Sequence, residues 1–323
     1  MSRYLLRRLI GIIPLLLGIS FVVYALLNLV PGSPTDQFEF NPNIRPEDRE
    51  RIEENLGLNA PWYARYFTWL ANVLQGDLGN SFTNFAPVEN AITAALPNTL
   101  ILSVTALIFA LVLSVPIGII SAVRLNSFFD RFVTMVSTAF FSIPSIWLGL
   151  LLIILFSVKF QEWGMPFSLP TGGVRDLRGE SGFWDRVEHL ILPAFTLGVV
   201  QLAGWTRYVR SSMLEVIRQD YIRTAEAKGL RQRAVLMGHA FRNAMLPLVT
   251  LVGLTIPDLF GGALIVENVF AYPGIGRLTV ESLNQNDYSV AMAAIMMLAF
   301  LTVLGNLIAD VMYGVLDPRV RFD

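Results

Sequence analysis

The residues able to do chemistry are few and unevenly placed. The densest group is a basic stretch, residues 207–242, which holds eight of the chain's 24 lysines and arginines. At its centre runs Arg218-Gln219-Asp220-Tyr221-Ile222-Arg223-Thr224-Ala225-Glu226-Ala227-Lys228-Gly229-Leu230. Asp220 stands where a carboxylate can accept backbone N–H bonds at a helix start, and Gly229 where a chain can leave a helix in the left-handed conformation. The spacing predicts a short helix of about two turns. A short helix capped at both ends and tethered between longer elements can pass force from a partner to those elements. Charge alone would also suit anionic lipid headgroups.

Catalytic chemistry is poorly supplied. Cysteine is absent, which excludes thiolate metal sites, disulfides and a cysteine nucleophile. A phosphate-cradling loop needs G-x-x-x-x-G-K-[ST], and the chain has no Gly-Lys pair. His189 and His239 are the two histidines, no H-E-x-x-H occurs, and Ser211 and Ser212 have no base nearby in sequence. No catalytic residue, metal site or cofactor is therefore expected. The net charge of −1 carries no basic excess for nucleic acid.

The elements that hold these residues are apolar helices. Of 323 residues, 54% are hydrophobic and 15% charged, with mean hydropathy +0.55, against roughly 25% charged in soluble domains. Nearly uncharged runs occupy residues 9–30, 98–123, 132–158, 190–206, 243–266 and 288–309, each near the roughly 20 residues that cross a bilayer as a helix. The expected fold is all-α and polytopic, with six transmembrane helices. Fifteen of the 24 basic residues fall in the segments that are inside if the N-terminus is inside, while 17 of the 25 acidic residues fall outside. Positive charge is retained on the cytoplasmic side, so both termini are expected there; the two histidines then sit on opposite sides of the membrane. The first run is 22 residues long and Pro31-Gly32-Ser33-Pro34 is not a small-x-small cleavage site, so this span is expected to stay uncleaved.

Three regions follow. Residues 1–30 form a tail and first span, 31–97 an extracytoplasmic segment with short helices, and 98–323 a core of five spans with the loop at 207–242. In the extracytoplasmic segment Pro46 to Gly57 and Pro61 to Gly76 carry helix start and stop signals. The second has Trp62, Tyr66, Trp69 and Val73 at helical spacing, a stripe that suits packing on the chain's own spans or lying in the membrane interface.

Two carboxylates fall inside spans. Asp258 follows Pro257, which removes the amide partner of the Gly253 carbonyl and predicts a bent or broken span. A charged Asp at mid-bilayer costs about 2.5–3.5 kcal/mol, so it should face protein or a wet path, lining a solute path or capping a second half-helix. Asn306 and Asp310 are four apart on one face of the sixth span, which suits a polar contact between helices. If either carboxylate bound a proton or sodium ion, the chain would be an ion-gradient-driven secondary transporter.

The loop also carries a resemblance. Arg210-Ser211-Ser212-Met213-Leu214-Glu215, Gln219-Asp220-Tyr221-Ile222-Arg223-Thr224-Ala225, Ala227-Lys228-Gly229-Leu230 and His239-Ala240-Phe241-Arg242-Asn243-Ala244-Met245-Leu246-Pro247 resemble the membrane subunits of dipeptide, oligopeptide and nickel ABC importers. Matching stretches extend over nearly the whole chain, among them Asn55-Leu56-Gly57-Leu58, Gly76-Asp77-Leu78-Gly79-Asn80-Ser81, Ile143-Pro144-Ser145-Ile146-Trp147-Leu148-Gly149, Tyr272-Pro273-Gly274-Ile275-Gly276 and Leu316-Asp317-Pro318-Arg319. Arg7-Arg8-Leu9, Ile13-Pro14 and Val30-Pro31-Gly32 are similar to the B-type member of the paired permeases. Two positions depart. Arg223-Thr224-Ala225 stands where the wider family has Glu-Ala-Ala, so Glu226 is not the family's glutamate; Asn286-Asp287-Tyr288-Ser289 replaces Arg-Asp-Tyr-Pro.

The resemblance implies a type I ABC importer permease fold and a pore-forming subunit for peptide uptake, with nickel, glutathione or oligosaccharide as other family solutes. It implies that Asp220, Tyr221, Arg223, Thr224, Ala225, Glu226, Ala227, Lys228 and Gly229 form a coupling helix docking on an ATPase. The implied partners are a homologous C-type permease, two ABC ATPase subunits and an extracytoplasmic substrate-binding protein, in a bacterial or archaeal plasma membrane.

Overall fold

The computed structural model describes residues 2–29, 59–176 and 182–316. The helix expected from Pro46 to Gly57 and the stretches Asn55–Leu58 and Asp317–Arg319 lie outside the described residues. The described residues form ten helices and no strand: α1 (Ser2–Leu29), α2 (Trp62–Leu74), α3 (Val88–Val123), α4 (Phe128–Ser142), α5 (Ser145–Glu162), α6 (Phe183–Ile217), α7 (Asp220–Ala227), α8 (Phe241–Val269), α9 (Ile275–Asn284) and α10 (Tyr288–Leu316). Six of them, α1, α3, α5, α6, α8 and α10, contain stretches long and apolar enough to cross a membrane.

The run at 132–158, expected as one span, is two helices. Pro144 cannot donate to the ladder, and Ile143 before it is pushed to extended backbone, ψ 124°, so α4 ends there. The membrane-length piece is α5, which carries a π-helical stretch at Ile153–Lys159. The fourth span, shortest in the sequence reading, is a 35-residue helix. It runs on through the arginines at the end of the expected span, where Arg207 lies over the Phe141 ring at 5.9 Å and Arg210 pairs with Asp130, and near its start Asp185 lies 3.1 Å from His189. The fifth span is not broken at Pro257: its membrane-length stretch is Pro247–Val269, and the helix that holds it, α8, includes both prolines and continues a π stretch at Val235–Ala240.

The chain divides into two compact units. One comprises Leu100–Tyr272 with the end of α10 from Leu304. Its helices approach through small residues, which lets backbones come close where apolar lipid supplies no driving force of its own. A Cβ on Gly118 would lie 2.7 Å from Val209 Cβ, one on Gly198 2.7 Å from the Ala106 carbonyl, and one on Gly253 3.3 Å from Ala309 Cβ. One apolar cluster gathers Leu102, Ala106, Leu192, Leu259, Ala263 and Phe270; the other gathers Val209, Met213, Ile222, Val235, Ala240 and Ala244.

The second unit comprises Ser2–Thr99 and Pro273–Val303. The aromatic stripe of α2 packs on α1: Tyr66 is buried, sits 5.3 Å from the Phe21 ring and 5.5 Å from Tyr24, and shares a 3.0 Å hydrogen bond with Ser20. The stripe thus packs on the chain's own first span through Tyr66. Asp287 is the polar centre of this unit. Its buried carboxylate accepts from Ser81 Oγ, from the Phe82 amide at 3.1 Å, from Thr83 Oγ1 at 3.1 Å and from the Val290 amide at 3.3 Å. It thus starts α10 and pins the turn at 81–83, which forms without the arginine and proline of the relatives' pattern.

Candidate functional site

Helix α7 is eight residues long, too short to be stable alone. Two side chains three apart hold it. Ile222 is 1% exposed and Ala225 7%, both inside the apolar cluster that Val209 and Met213 of α6, Ala122 of α3 and Ala244 of α8 complete. Asn243 Nδ2 donates to Tyr221 Oη at 3.1 Å and adds a polar tie. All other side chains of the segment face outward: Asp220, Tyr221, Arg223, Thr224, Glu226, Ala227 and Lys228 are exposed. The result is a short helix fixed on one side, with a charged, solvent-open outer face.

Its ends differ in how well the sequence foretold them. Gly229 has φ +76° and its amide donates to the Glu226 carbonyl at 2.9 Å, so the glycine ends the helix as expected. Asp220 does not cap. The N-cap is Gln219, in extended backbone and without a side-chain cap bond, and Asp220 is the first helical residue. Its exposed carboxylate lies 3.7 Å from Arg223, where a negative charge in the first turn still suits the helix dipole.

The intramembrane carboxylates are not brought together with α7. Asp258 lies on an exposed face of α8 with Leu254, Gly261 and Ile265, while Leu259, Ala263 and Val266 on the other face are buried. Since α8 is continuous, no second half-helix exists for Asp258 to cap. On α10, Asn306 is exposed and Asp310 half-buried.

Sequence reasoning missed one further polar centre. Asp130, in the first turn of α4 and 3% exposed, receives Arg210 Nε at 2.6 Å and Nη2 at 2.9 Å from α6. Ser121 Oγ donates to it at 2.5 Å and the Asn126 amide at 2.9 Å. The Arg210 hydrogen bond, helped by Ser121 and Asn126 and opposed by burial, holds this carboxyl well below the usual carboxylate range. Only the acid at a helix start, after Ser127, was a signal for it.

Residues 114–322 match the family described as binding-protein-dependent transport system inner membrane component, and residues 1–105 match the N-terminal component of the same description. The chain is 45% identical to the oligopeptide transport system permease protein AppB of Bacillus subtilis, over all of both chains. It is 38% identical to the dipeptide transport system permease protein DppB of Escherichia coli K12, over 99% of each. Among solved structures, the MetNI methionine ABC transporter in inward-facing conformations aligns with TM-score 0.54 at 20% identity, covering 70% of this chain and 96% of that one.

Proposed function

Because the chain belongs to the family of binding-protein-dependent transport system inner membrane components, we propose that it lines half the translocation path of an ATP-driven peptide importer and is driven through α7. It is a multi-pass inner-membrane protein. Peptide as solute is supported by the relatives, named as oligopeptide and dipeptide permeases. ATP hydrolysis belongs to two separate ATPase subunits, and a substrate-binding protein delivers solute on the opposite face, with both termini of this chain cytoplasmic.

The observation that carries the reading is α7 itself, the lever of this mechanism: an exposed, charged helix anchored by Ile222 and Ala225 in the core, by the Asn243–Tyr221 hydrogen bond and by a glycine stop. ATPase closure pushes on Tyr221, Arg223, Thr224, Glu226 and Lys228, and the clustered α6 and α8 carry the displacement into the membrane. A homologous C-type permease covers the Asp258 face, because a carboxylate left against lipid costs about 2.5–3.5 kcal/mol.

The test is reconstitution. The chain with its partner permease, ATPases and binding protein takes up labelled dipeptide only with ATP; the lone chain under a proton or sodium gradient takes up none. Gly229→Asp puts a strained residue and a negative charge at the C-terminal end of α7. It leaves insertion intact and abolishes ATP-dependent uptake. Uptake by the lone chain, or wild-type uptake by Gly229→Asp, overturns the reading.

A further inference from the structure

Resting on the coupling role of α7, we propose that Asp130 is a positioning residue for transport: paired with Arg210, it locks α3 and α4 to the helix that feeds the lever, so that they move with it. Only α6 and α8 adjoin the lever along the chain, through Arg218-Gln219 on one side and the stretch from Lys228 on the other. Ser212 Oγ donates to the Ala244 carbonyl at 2.9 Å and ties these two to each other. Helices α3 and α4 have no such continuity with α7. They pack on α6 through Gly118 at Val209 and Thr206, Gly198 at Ala106 and the rings of Phe109, Phe140 and Phe195, and the carboxylate of Asp130 adds a directional polar tie to these contacts.

That carboxylate is placed to join four parts. Ser121 comes from the end of α3, Asn126 from the turn, Asp130 from α4 and Arg210 from α6. Asn126 has φ +59°, so the turn is a tight left-handed corner and not a loose loop. Apolar contact alone lets helices slide, whereas a two-point guanidinium fork fixes both distance and angle. Arg210 stands two and a half turns before Gln219, on the part of α6 that packs on α7 through Val209 and Met213. Buried pairs are often neutral for stability against an apolar replacement. The value of this one lies in register.

The complete transporter in proteoliposomes tests this. The chain has no cysteine, so spin labels at L125C and L230C, both exposed positions, report the corner and the end of the lever alone. With Asp130 and Arg210 intact, the distance between labels is the same with and without ATP. In Asp130→Asn it broadens and shifts on ATP binding, and uptake per ATP falls about tenfold, within the range that network residues produce on coupling. Arg210→Lys, which keeps charge but not the fork, behaves likewise. An unchanged distance and wild-type stoichiometry in Asp130→Asn overturn the proposal. So does loss of assembly in both Asp130→Asn and Arg210→Lys, which makes the pair a folding element. Gly229→Asp separates the two levels: if it transports normally the lever reading fails, and if it uncouples while Asp130→Asn does not, only the role of the pair fails.

Discussion

Truncating Ile222 to alanine removes the larger of the two anchors that hold α7 on the core. The side chain is 1% exposed and is enclosed by residues of α6, α8 and the π stretch before α8. Losing a fully buried isoleucine to alanine costs about 2–5 kcal/mol, transfer and cavity together. A helix of eight residues has no stability of its own to absorb that loss. The remaining anchors are Ala225, which is small, and the Asn243–Tyr221 bond, whose net worth is about 1 kcal/mol. The lever is therefore expected to open locally about 30-fold more often or beyond, taking 2 kcal/mol as the low end. Amide hydrogen exchange in nanodiscs reads this directly. The Lys228 amide, bonded to the Thr224 carbonyl, and the Gly229 amide, bonded to Glu226, lose protection, while the middle of α6 keeps it. Arg223→Ala, on the exposed side, serves as the control and leaves exchange unchanged. Equal protection in Ile222→Ala and wild type, or equal loss in both variants, refutes the idea that one apolar contact seats the lever.

Three further outcomes follow from the same geometry. At Gly229 no atom lies within 4 Å of where a Cβ would sit, so the penalty for substitution is conformational, about 1–2 kcal/mol; ATP-dependent uptake should rank Gly229→Asn above Gly229→Ala above Gly229→Val, because asparagine tolerates the left-handed region. Asp130 has a folded pKa below its ordinary value of 3.8, so its stabilising contribution is fully present above 3.8 and is lost progressively as pH falls from there through the lower folded pKa; thermal scans in detergent should show wild type above Asp130→Asn at neutral pH and the gap starting to narrow only below about pH 4. Asp287→Ala leaves Ser81 Oγ and Thr83 Oγ1 without their acceptor, at about 1–3 kcal/mol for a buried orphan, and should lower the melting temperature, whereas Arg277→Ala on an exposed pair should not.

Local signals made much of this legible. Apolar runs of bilayer length revealed six spans, Pro61 and Gly76 bracketed α2, and Gly229 marked the end of the lever. Each depends on neighbours in sequence, which is where turn and helix punctuation acts. The failures share a cause as well. The length of α6 was hidden because Arg207 and Arg210 look like a boundary, whereas Arg207 lies over the Phe141 ring and Arg210 meets Asp130, 80 residues away. Asp287 looked like a doubtful turn because its donors, Ser81 to Thr83, lie some 200 residues upstream. The break at Pro144 was within reach of a local rule, but the apolar run on either side of it outweighed the proline. The cap assigned to Asp220 was displaced by one residue, a common error where Gln219 can take the extended backbone an N-cap needs.

The lever and the exposed carboxylate meet on one rod. The π stretch at Val235–Ala240, which packs against α7 through Val235 and Ala240, runs without a break into α8. From Phe241 to Asp258 is 17 residues, about 26 Å along the axis, which reaches the middle of the membrane-length stretch Pro247–Val269. A displacement of α7 therefore reaches the Asp258 face with no loop in between to dissipate it. The same rod has two weak places by construction, since Pro247 and Pro257 deprive the Asn243 and Gly253 carbonyls of their helical donors. Near the second, Gly305 packs at 3.1 Å from Ile256 and Gly253 at 3.3 Å from Ala309, measured from the Cβ each glycine lacks. Close backbone packing against α10 splints the rod where its own ladder is thin. Asp258 sits just past that splint, on the side turned away from the rest of its own chain, and a carboxylate at such a depth is tolerable only if another chain or a water-filled path covers it. In the proposed mechanism the mechanical input and the unfinished surface thus lie on a single element, as a half-pore driven from outside the membrane requires.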